Sequence, residues 1–65
     1  MTGSEFRVIR KTLGLTLAEW GRALGYAPRT AAIYVSKLER EEKRITPQLA
    51  RLAEMYRQYG VPNLL

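Results

Sequence analysis

Arg29 and its neighbours carry the side chains whose chemistry is most specific in this sequence. The planar guanidinium of Arg29 matches the O6 and N7 acceptors of guanine, and such a bidentate bond contributes about 1–3 kcal/mol of base discrimination. Ile33 offers an apolar contact for a thymine methyl group, and Thr30 offers a hydroxyl for a base, a phosphate or its own helix backbone. The alternative interpretation of Arg29 is a phosphate contact or a solvated side chain. The alternative for Ile33 is a single exposed apolar residue with no binding role.

A second set of side chains is suited to holding a phosphate backbone. Lys37 and Arg40 lie farther along the same predicted helix and reach phosphate rather than base. The charged run 40–44 is equally typical of a solvated loop. The amides at the start of the preceding helix form a further phosphate seat. The predicted phosphate contacts are Arg22, Ser36, Arg40, Lys43 and Arg44.

Two short helices joined by a tight turn are needed to position these side chains. Thr16 and Glu19 have the spacing of a capping box, which predicts a helix over about residues 17–24. Gly25 suits the positive φ at the corner, and Pro28 suits the first position of the next helix, after a three-residue turn. The pattern is that of a helix-turn-helix, in which the second of these helices is presented to DNA.

A helical wheel separates a core face and a polar face on the helix that follows Pro28. Ala31, Val35 and Leu38 cluster on the core face, with Tyr34 at its edge. The opposite face carries Arg29, Ile33, Ser36 and Arg40, flanked by Thr30 and Lys37. Trp20, in the preceding helix, continues an apolar face and is predicted to lie in the core rather than to stack on a base.

The remaining chain predicts two more helices and no strand. Helix 1 covers about residues 4–13 and has a capping box at Thr2 and Glu5. Helix 4 has Thr46 as its cap, begins at Pro47 and ends at Tyr59. We therefore predict an all-α, compact four-helix domain over residues 1–65, with its helix-turn-helix core at 16–39 and a short stub of a fifth helix.

Composition narrows the class of function. Eleven basic residues, eight of them arginine, stand against six glutamates in 65 residues, giving a net charge of +5. This charge favours an acidic partner such as nucleic acid. The chain has no histidine, cysteine or aspartate, so we expect no enzyme activity, no metal site and no cofactor. It also lacks an apolar run of roughly 20 residues or a signal-peptide core, which predicts a cytoplasmic protein.

These features resemble the phage Cro/repressor-like helix-turn-helix family, also called the XRE family, over about residues 6–59. The matching elements are Ile9-Arg10, Leu13-Gly14-Leu15-Thr16, Glu19, Leu24-Gly25 and Arg29-Thr30. The resemblance implies that the third helix lies in the major groove of double-stranded DNA. It also places Arg29, Thr30, Ile33 and Lys37 on the base-reading surface.

The sequence departs from the family pattern at three places. Leu17 stands where the family often has a phosphate-binding glutamine, and Gly21 stands where alanine is common. Arg10 matches the family's ion-pair arginine, but the nearest acid, Glu39, comes about one turn later than expected. If the turn is one residue longer, the core would use Ala32 and Val35, and the reading face would rotate by about 100°.

The resemblance also implies a homodimer on a palindromic operator, with half-sites about 34 Å apart. Apolar residues near the C-terminus form the predicted dimer interface. They are Tyr56, Tyr59, Val61, Leu64 and Leu65. A monomer whose tail folds back over helix 1 or helix 4 is the alternative.

The function favoured by these features is that of a sequence-specific DNA-binding transcriptional regulator. An operator-binding autorepressor of the phage, anti-CRISPR-associated or restriction-modification-controller type fits best. The alternative is a protein-interaction module, such as an antitoxin that masks a toxin. RNA binding is a third possibility, although no RNA-binding motif is present.

Overall fold

The computed structural model describes residues 1–62, which form four α-helices and no strand. The helices are α1 (Gly3–Thr12), α2 (Leu17–Ala23), α3 (Ala31–Glu39) and α4 (Pro47–Tyr59). The predicted all-α class is therefore confirmed, and the predicted bounds of α1, α2 and α4 hold to within one residue. Within the described residues no helix has both the length and the apolar content that crossing a bilayer requires.

Threonine caps begin three of these helices as the sequence predicts. The side chains of Thr2 and Thr16 accept the amides of Glu5 and Glu19, each at 3.1 Å. Both glutamates return the bond to the backbone of their threonine, completing two capping boxes. Thr46 accepts the amide of Leu49 at 3.2 Å at the start of α4.

The start of α3 differs from the prediction. Pro28 lies in a turn, the helix begins at Ala31, and seven residues rather than three separate it from α2. Gly25 (φ 97°) ends α2 as predicted, and the amides of Thr30 and Ala31 then both bond to the Ala27 carbonyl, at 3.0 and 2.9 Å. The prediction of a helix from Pro28 was wrong because residues 28–30 form a turn, in which the φ of Thr30, −116°, lies far from the regular helical value of about −63°.

The longer turn does not rotate α3. Ala31, Val35 and Leu38 are fully buried, as the wheel predicts, whereas Ala32 is only half-buried. Trp20 is also fully buried, and its ring lies 5.5 Å from that of Phe6 between centroids. The alternative register with Ala32 in the core is therefore not adopted.

Gly21 allows α2 to lie directly against α3. A Cβ added at Gly21 would come within 2.6 Å of the Ala31 Cβ and 2.7 Å of the Ala31 carbonyl oxygen. At the far end of α3, Glu39 pairs with Arg10 of α1, with Nε and Oε2 2.7 Å apart. These two contacts fix α3 at both ends and hold its outer face in one orientation.

Candidate nucleic-acid interface

The outer face of α3 carries a line of exposed side chains. Arg29, Ile33 and Lys37 are exposed and follow one another at four-residue spacing, with Ile33 57% exposed. Arg29 lies in the turn before the helix, which places it one turn ahead of Ile33. Thr30 and Ser36 are half-buried at the margins of this face. We call Arg29, Ile33 and Lys37 the α3 line.

The α3 line is basic and carries no acid of its own. Each of the six glutamates has a partner within the chain: Glu5 and Glu19 in capping boxes, Glu41 at the Gly3 amide, and Glu39, Glu42 and Glu54 in ion pairs. Within residues 1–62 no ion pair involves Arg29 or Lys37. Their charges therefore face solvent without local neutralisation.

The N-terminus of α3 differs from the N-termini of the other three helices of the described residues. Thr30 makes no side-chain cap, and its hydroxyl lies 3.4 Å from the Ala27 carbonyl instead. The Ala31 amide bonds to the Ala27 carbonyl at 2.9 Å, so α3 begins from a backbone turn rather than from a side-chain cap. Arg29 lies in this turn and adds positive charge at the N-terminal end of the helix.

The start of α2 is a poorer phosphate seat than the sequence suggests. The Glu19 carboxylate accepts the Thr16 amide at 2.9 Å. The hydrogen bond from the Thr16 backbone is the main cause that lowers the pKa of Glu19, and a hydrogen bond with the Thr16 side chain lowers it further. The carboxylate is therefore ionised at neutral pH, and its charge opposes that of a phosphate.

A cation-capped aromatic stack joins α3 to the segment after it. The rings of Tyr26 and Tyr34 are stacked with centroids 5.0 Å apart and planes inclined by 22°. Lys43 places its Nζ 5.3 Å from the Tyr34 centroid. Burial raises the pKa of Tyr26, with Tyr34 as a smaller cause. We call Tyr26, Tyr34 and Lys43 the tyrosine–lysine stack.

Sequence reasoning found Lys43 but missed the two tyrosines that hold it. The eight-residue spacing of Tyr26 and Tyr34 crosses the turn, so no helical periodicity links them. Their meeting depends on the path of residues 24–30, which the sequence did not predict correctly.

The other predicted phosphate residues lie in different surroundings. Arg40 is exposed and pairs with Glu42, with Nε and Oε2 3.3 Å apart. Arg44 lines a groove beside Met1 and Pro47, and Arg22 is exposed on α2. The structure thus brings Lys43 to α3 through Tyr34, and it places Arg44 near the start of α1.

The predicted dimer residues do not form one free surface within the described residues. The Tyr56 hydroxyl donates to the Ala23 carbonyl at 2.8 Å, and its ring lies edge-on to Trp20. Val61 packs against the core of its own chain. Tyr59 is 77% exposed, and Leu64 and Leu65 lie outside the described residues.

Comparisons of the chain with protein-family models, with curated proteins and with solved structures find no match. The class of the molecule is therefore described from its structure alone. It is a small all-α chain with the exposed, basic α3 line at its third helix. The resemblance to repressor proteins therefore depends on the residues quoted above.

Proposed function

We propose that this protein is a sequence-specific DNA-binding transcriptional regulator, acting in the cytoplasm as a homodimeric operator-binding repressor of Cro/repressor-like helix-turn-helix type. The α3 line is the observation that carries the proposal. Ile33 and Lys37 lie on the exposed side of a helix whose other side is buried, and Arg29 lies exposed in the turn before it. A helix about 10–12 Å across fits the major groove, which is about 12 Å wide.

The chemistry of the α3 line suits base edges. Arg29, at the leading end, donates two parallel bonds to guanine O6 and N7. Ile33 packs against a thymine methyl group one helical turn later. Thr30 and Lys37 complete the reading surface, and Lys43 binds a phosphate at its edge. Ser36, Arg22, Arg40 and Arg44 remain proposed phosphate contacts, weakened at Arg40 by Glu42.

In this proposal, the protein represses transcription by occupying its DNA site. Two copies on a palindromic site cover adjacent major grooves and exclude polymerase from the same stretch of DNA. A promoter of the phage, anti-CRISPR-associated or restriction-modification type is the proposed setting, with the protein's own operon as the first site to test.

The test measures binding to the DNA upstream of the protein's own gene by gel shift, against a scrambled duplex of equal composition. We expect preference for the upstream DNA, two copies per site, and log affinity that falls with log salt by about 0.9 for each phosphate neutralised. Equal binding to both duplexes at every salt concentration would contradict sequence-specific recognition at this site.

A protein-interaction module of the antitoxin kind gives a different result in the same experiment. Its basic surface would meet an acidic protein, and the upstream and scrambled duplexes would both bind weakly. Parallel titration with single-stranded RNA of the same sequence distinguishes RNA binding, since a groove-reading helix prefers the DNA duplex.

A further inference from the structure

Glu41 has a backbone conformation that residues other than glycine rarely adopt. Its φ is 60°, and the other residues with positive φ in the described part of the chain are all glycine, namely Gly14, Gly25 and Gly60. A side chain in this left-handed region is strained, because its Cβ lies too close to the carbonyl oxygen that follows. Such a residue persists where the surrounding structure holds it, which suggests a role for its side chain.

The strained residue lies where α3 ends. The Glu41 amide bonds to the Leu38 carbonyl at 3.2 Å. The Glu42 amide bonds to the Lys37 carbonyl at 2.9 Å. These two bonds form a Schellman motif, in which the residue at the position of Glu41 is usually glycine. Glycine would make the same backbone bonds without strain, so the backbone alone does not account for a glutamate.

The Glu41 carboxylate reaches the first turn of α1. Its Oε2 accepts the Gly3 amide at 3.1 Å, although the two residues are 38 positions apart in sequence. Gly3 is buried, and a Cβ added there would overlap the Glu39 carbonyl oxygen at the end of α3. The hydrogen bond and this close approach together tie the segment after α3 to the start of α1.

Lys43 follows Glu41 by two residues and lies in the same segment. Its amide bonds to the Lys37 carbonyl at 3.3 Å, and its Nζ lies 5.3 Å from the centroid of the Tyr34 ring. Glu41 and Lys43 line one groove of about 440 Å³ beside the start of α1. A segment that moved away from α1 would carry Lys43 off the ring, so the bond of Glu41 to α1 fixes where the ammonium group lies.

We infer that Glu41 is a positioning residue, which anchors the segment after α3 to α1 and thereby holds Lys43 in place to bind a DNA phosphate. The phosphate is that of the operator, so this role rests on the proposed function. Glu41 acts through Lys43 and makes no DNA contact of its own. Its negative charge opposes DNA binding, so the hydrogen bond, and not the charge, gives the residue its role.

The position of Lys43 is measured first, without DNA, from the NMR signals of its side-chain methylene protons. Protons held over an aromatic ring shift upfield, and Tyr34→Leu supplies the unshifted value. Glu41→Gly should lose most of the upfield shift, while its urea midpoint stays near that of wild type, because relief of strain offsets the lost hydrogen bond. Glu41→Gln keeps an oxygen for the Gly3 amide and should retain the shift.

Glu42→Gly is the matched control. It introduces the same flexibility and removes the same charge one residue away, and it leaves the bond between Glu41 and Gly3 intact. We expect it to keep the upfield shift of Lys43. Equal losses in the two glycine variants would overturn the inference, since backbone flexibility would then be the cause. A full upfield shift in Glu41→Gly would overturn it as well.

Operator binding provides the second readout. Glu41→Gly should reduce the salt slope by about 0.9, as the loss of one phosphate contact does, and adding Lys43→Ala should reduce it no further. Glu41→Gln should retain the wild-type slope. An unchanged slope in Glu41→Gly, despite the lost upfield shift, would mean that Lys43 is not held for a phosphate.

The two readouts separate this role from the proposed function. If wild type does not prefer the upstream DNA to the scrambled duplex, the proposed function fails. The NMR shift of Lys43 in the Glu41 variants then still decides whether Glu41 holds Lys43 in place.

Discussion

Arg10 of α1 and Glu39 of α3 form a two-armed ion pair that joins the first helix to the end of the third. Nε lies 2.7 Å from Oε2 and Nη2 lies 3.2 Å from Oε1, while Nη1 donates to the Leu15 carbonyl at 3.0 Å. Only 11% of the Arg10 side chain and 8% of the Glu39 side chain are exposed. One arginine therefore fixes both the end of α3 and the turn after α1.

Replacing one partner should destabilise the fold strongly. Glu39→Ala leaves a nearly buried guanidinium without its carboxylate, and we expect a loss of about 3 kcal/mol in the free energy of unfolding. Urea titration followed by the fluorescence of Trp20, the single tryptophan, measures this change. Glu54→Ala, which breaks an exposed pair with Arg57, should cost less than about 1 kcal/mol.

The double variant Arg10→Met/Glu39→Met should recover most of the loss, because no unpaired charge remains buried. Recovery should be incomplete, since the Leu15 carbonyl also loses its donor. Similar losses for Glu39→Ala and Glu54→Ala would show that the Arg10 pair is solvated in solution.

Gly21→Ala should destabilise the protein despite the better helix propensity of alanine. The new Cβ would meet the Ala31 Cβ at 2.6 Å and its carbonyl oxygen at 2.7 Å, so α2 and α3 must separate. We expect a net cost of about 1–2 kcal/mol in urea titration, after the helical gain of alanine is offset. Adding Ala31→Gly should rescue only part of it, because the carbonyl contact remains. A more stable Gly21→Ala variant would mean that the two helices lie farther apart.

Most of the fold could be predicted from short sequence patterns, because hydrogen bonds between residues close in sequence determine where most of the helices begin. Three helices begin at the threonines that the sequence predicts as caps. Each threonine hydroxyl accepts the amide three residues later, at Thr2, Thr16 and Thr46. The core face of α3 followed from periodicity alone, and Ala31, Val35 and Leu38 are buried. Glu39, the acid nearest to the position where the sequence predicts a partner for Arg10, does pair with Arg10.

The path of the chain between α2 and α3 depends on particular backbone hydrogen bonds and on contacts between residues that are far apart in sequence. The Tyr26 amide bonds back to the Gly21 carbonyl at 2.9 Å, and this closes α2. The following turn around Ala27 delays α3 by three residues. The tyrosine–lysine stack depends on this path, so the sequence pattern gave no indication of it.

The two capping boxes predict a stability that falls in acid. Glu19 has a pKa below its ordinary value of 4.5, owing to its bonds with Thr16. A carboxylate with a lowered folded pKa contributes stability above its unfolded pKa, and this contribution is lost as pH falls through the lower value. The urea midpoint should therefore decrease below about pH 4.5.

Glu19→Ala isolates this contribution. The variant should be less stable than wild type at pH 7, and the difference should shrink in acid as the pH falls through the lowered pKa of Glu19. Glu54→Ala is a suitable control because its carboxylate caps no helix. A Glu19→Ala deficit that persists undiminished at pH 3 would indicate that its cause is packing rather than the charge.

Arg29→Ala should reduce discrimination between the proposed operator and random DNA. Loss of a bidentate guanine contact should weaken operator binding by roughly 10- to 100-fold while changing random-DNA binding little. Arg51→Ala removes the same charge from exposed α4 and should leave both affinities near wild type. The unfolding midpoint of Arg29→Ala should be unchanged, since Arg29 is exposed. Equal weakening on both DNAs would reassign Arg29 to a phosphate contact.

The tyrosine–lysine stack should position Lys43 for a phosphate. Lys43→Ala should reduce the salt slope of operator binding by about 0.9, the value for one phosphate contact. Tyr34→Leu removes the ring beneath the ammonium group and should weaken binding in the same direction, whereas Tyr34→Phe keeps the ring and should not.

The double variant Lys43→Ala/Tyr34→Leu separates positioning from direct contact. If Tyr34 acts through Lys43, the double variant should bind DNA as Lys43→Ala does, because the ring has no ammonium left to hold. Additive losses would instead mean that Tyr34 touches DNA itself. An unchanged salt slope in Lys43→Ala would place the phosphate contact elsewhere, with Lys37 or Arg44 as the next variants to measure.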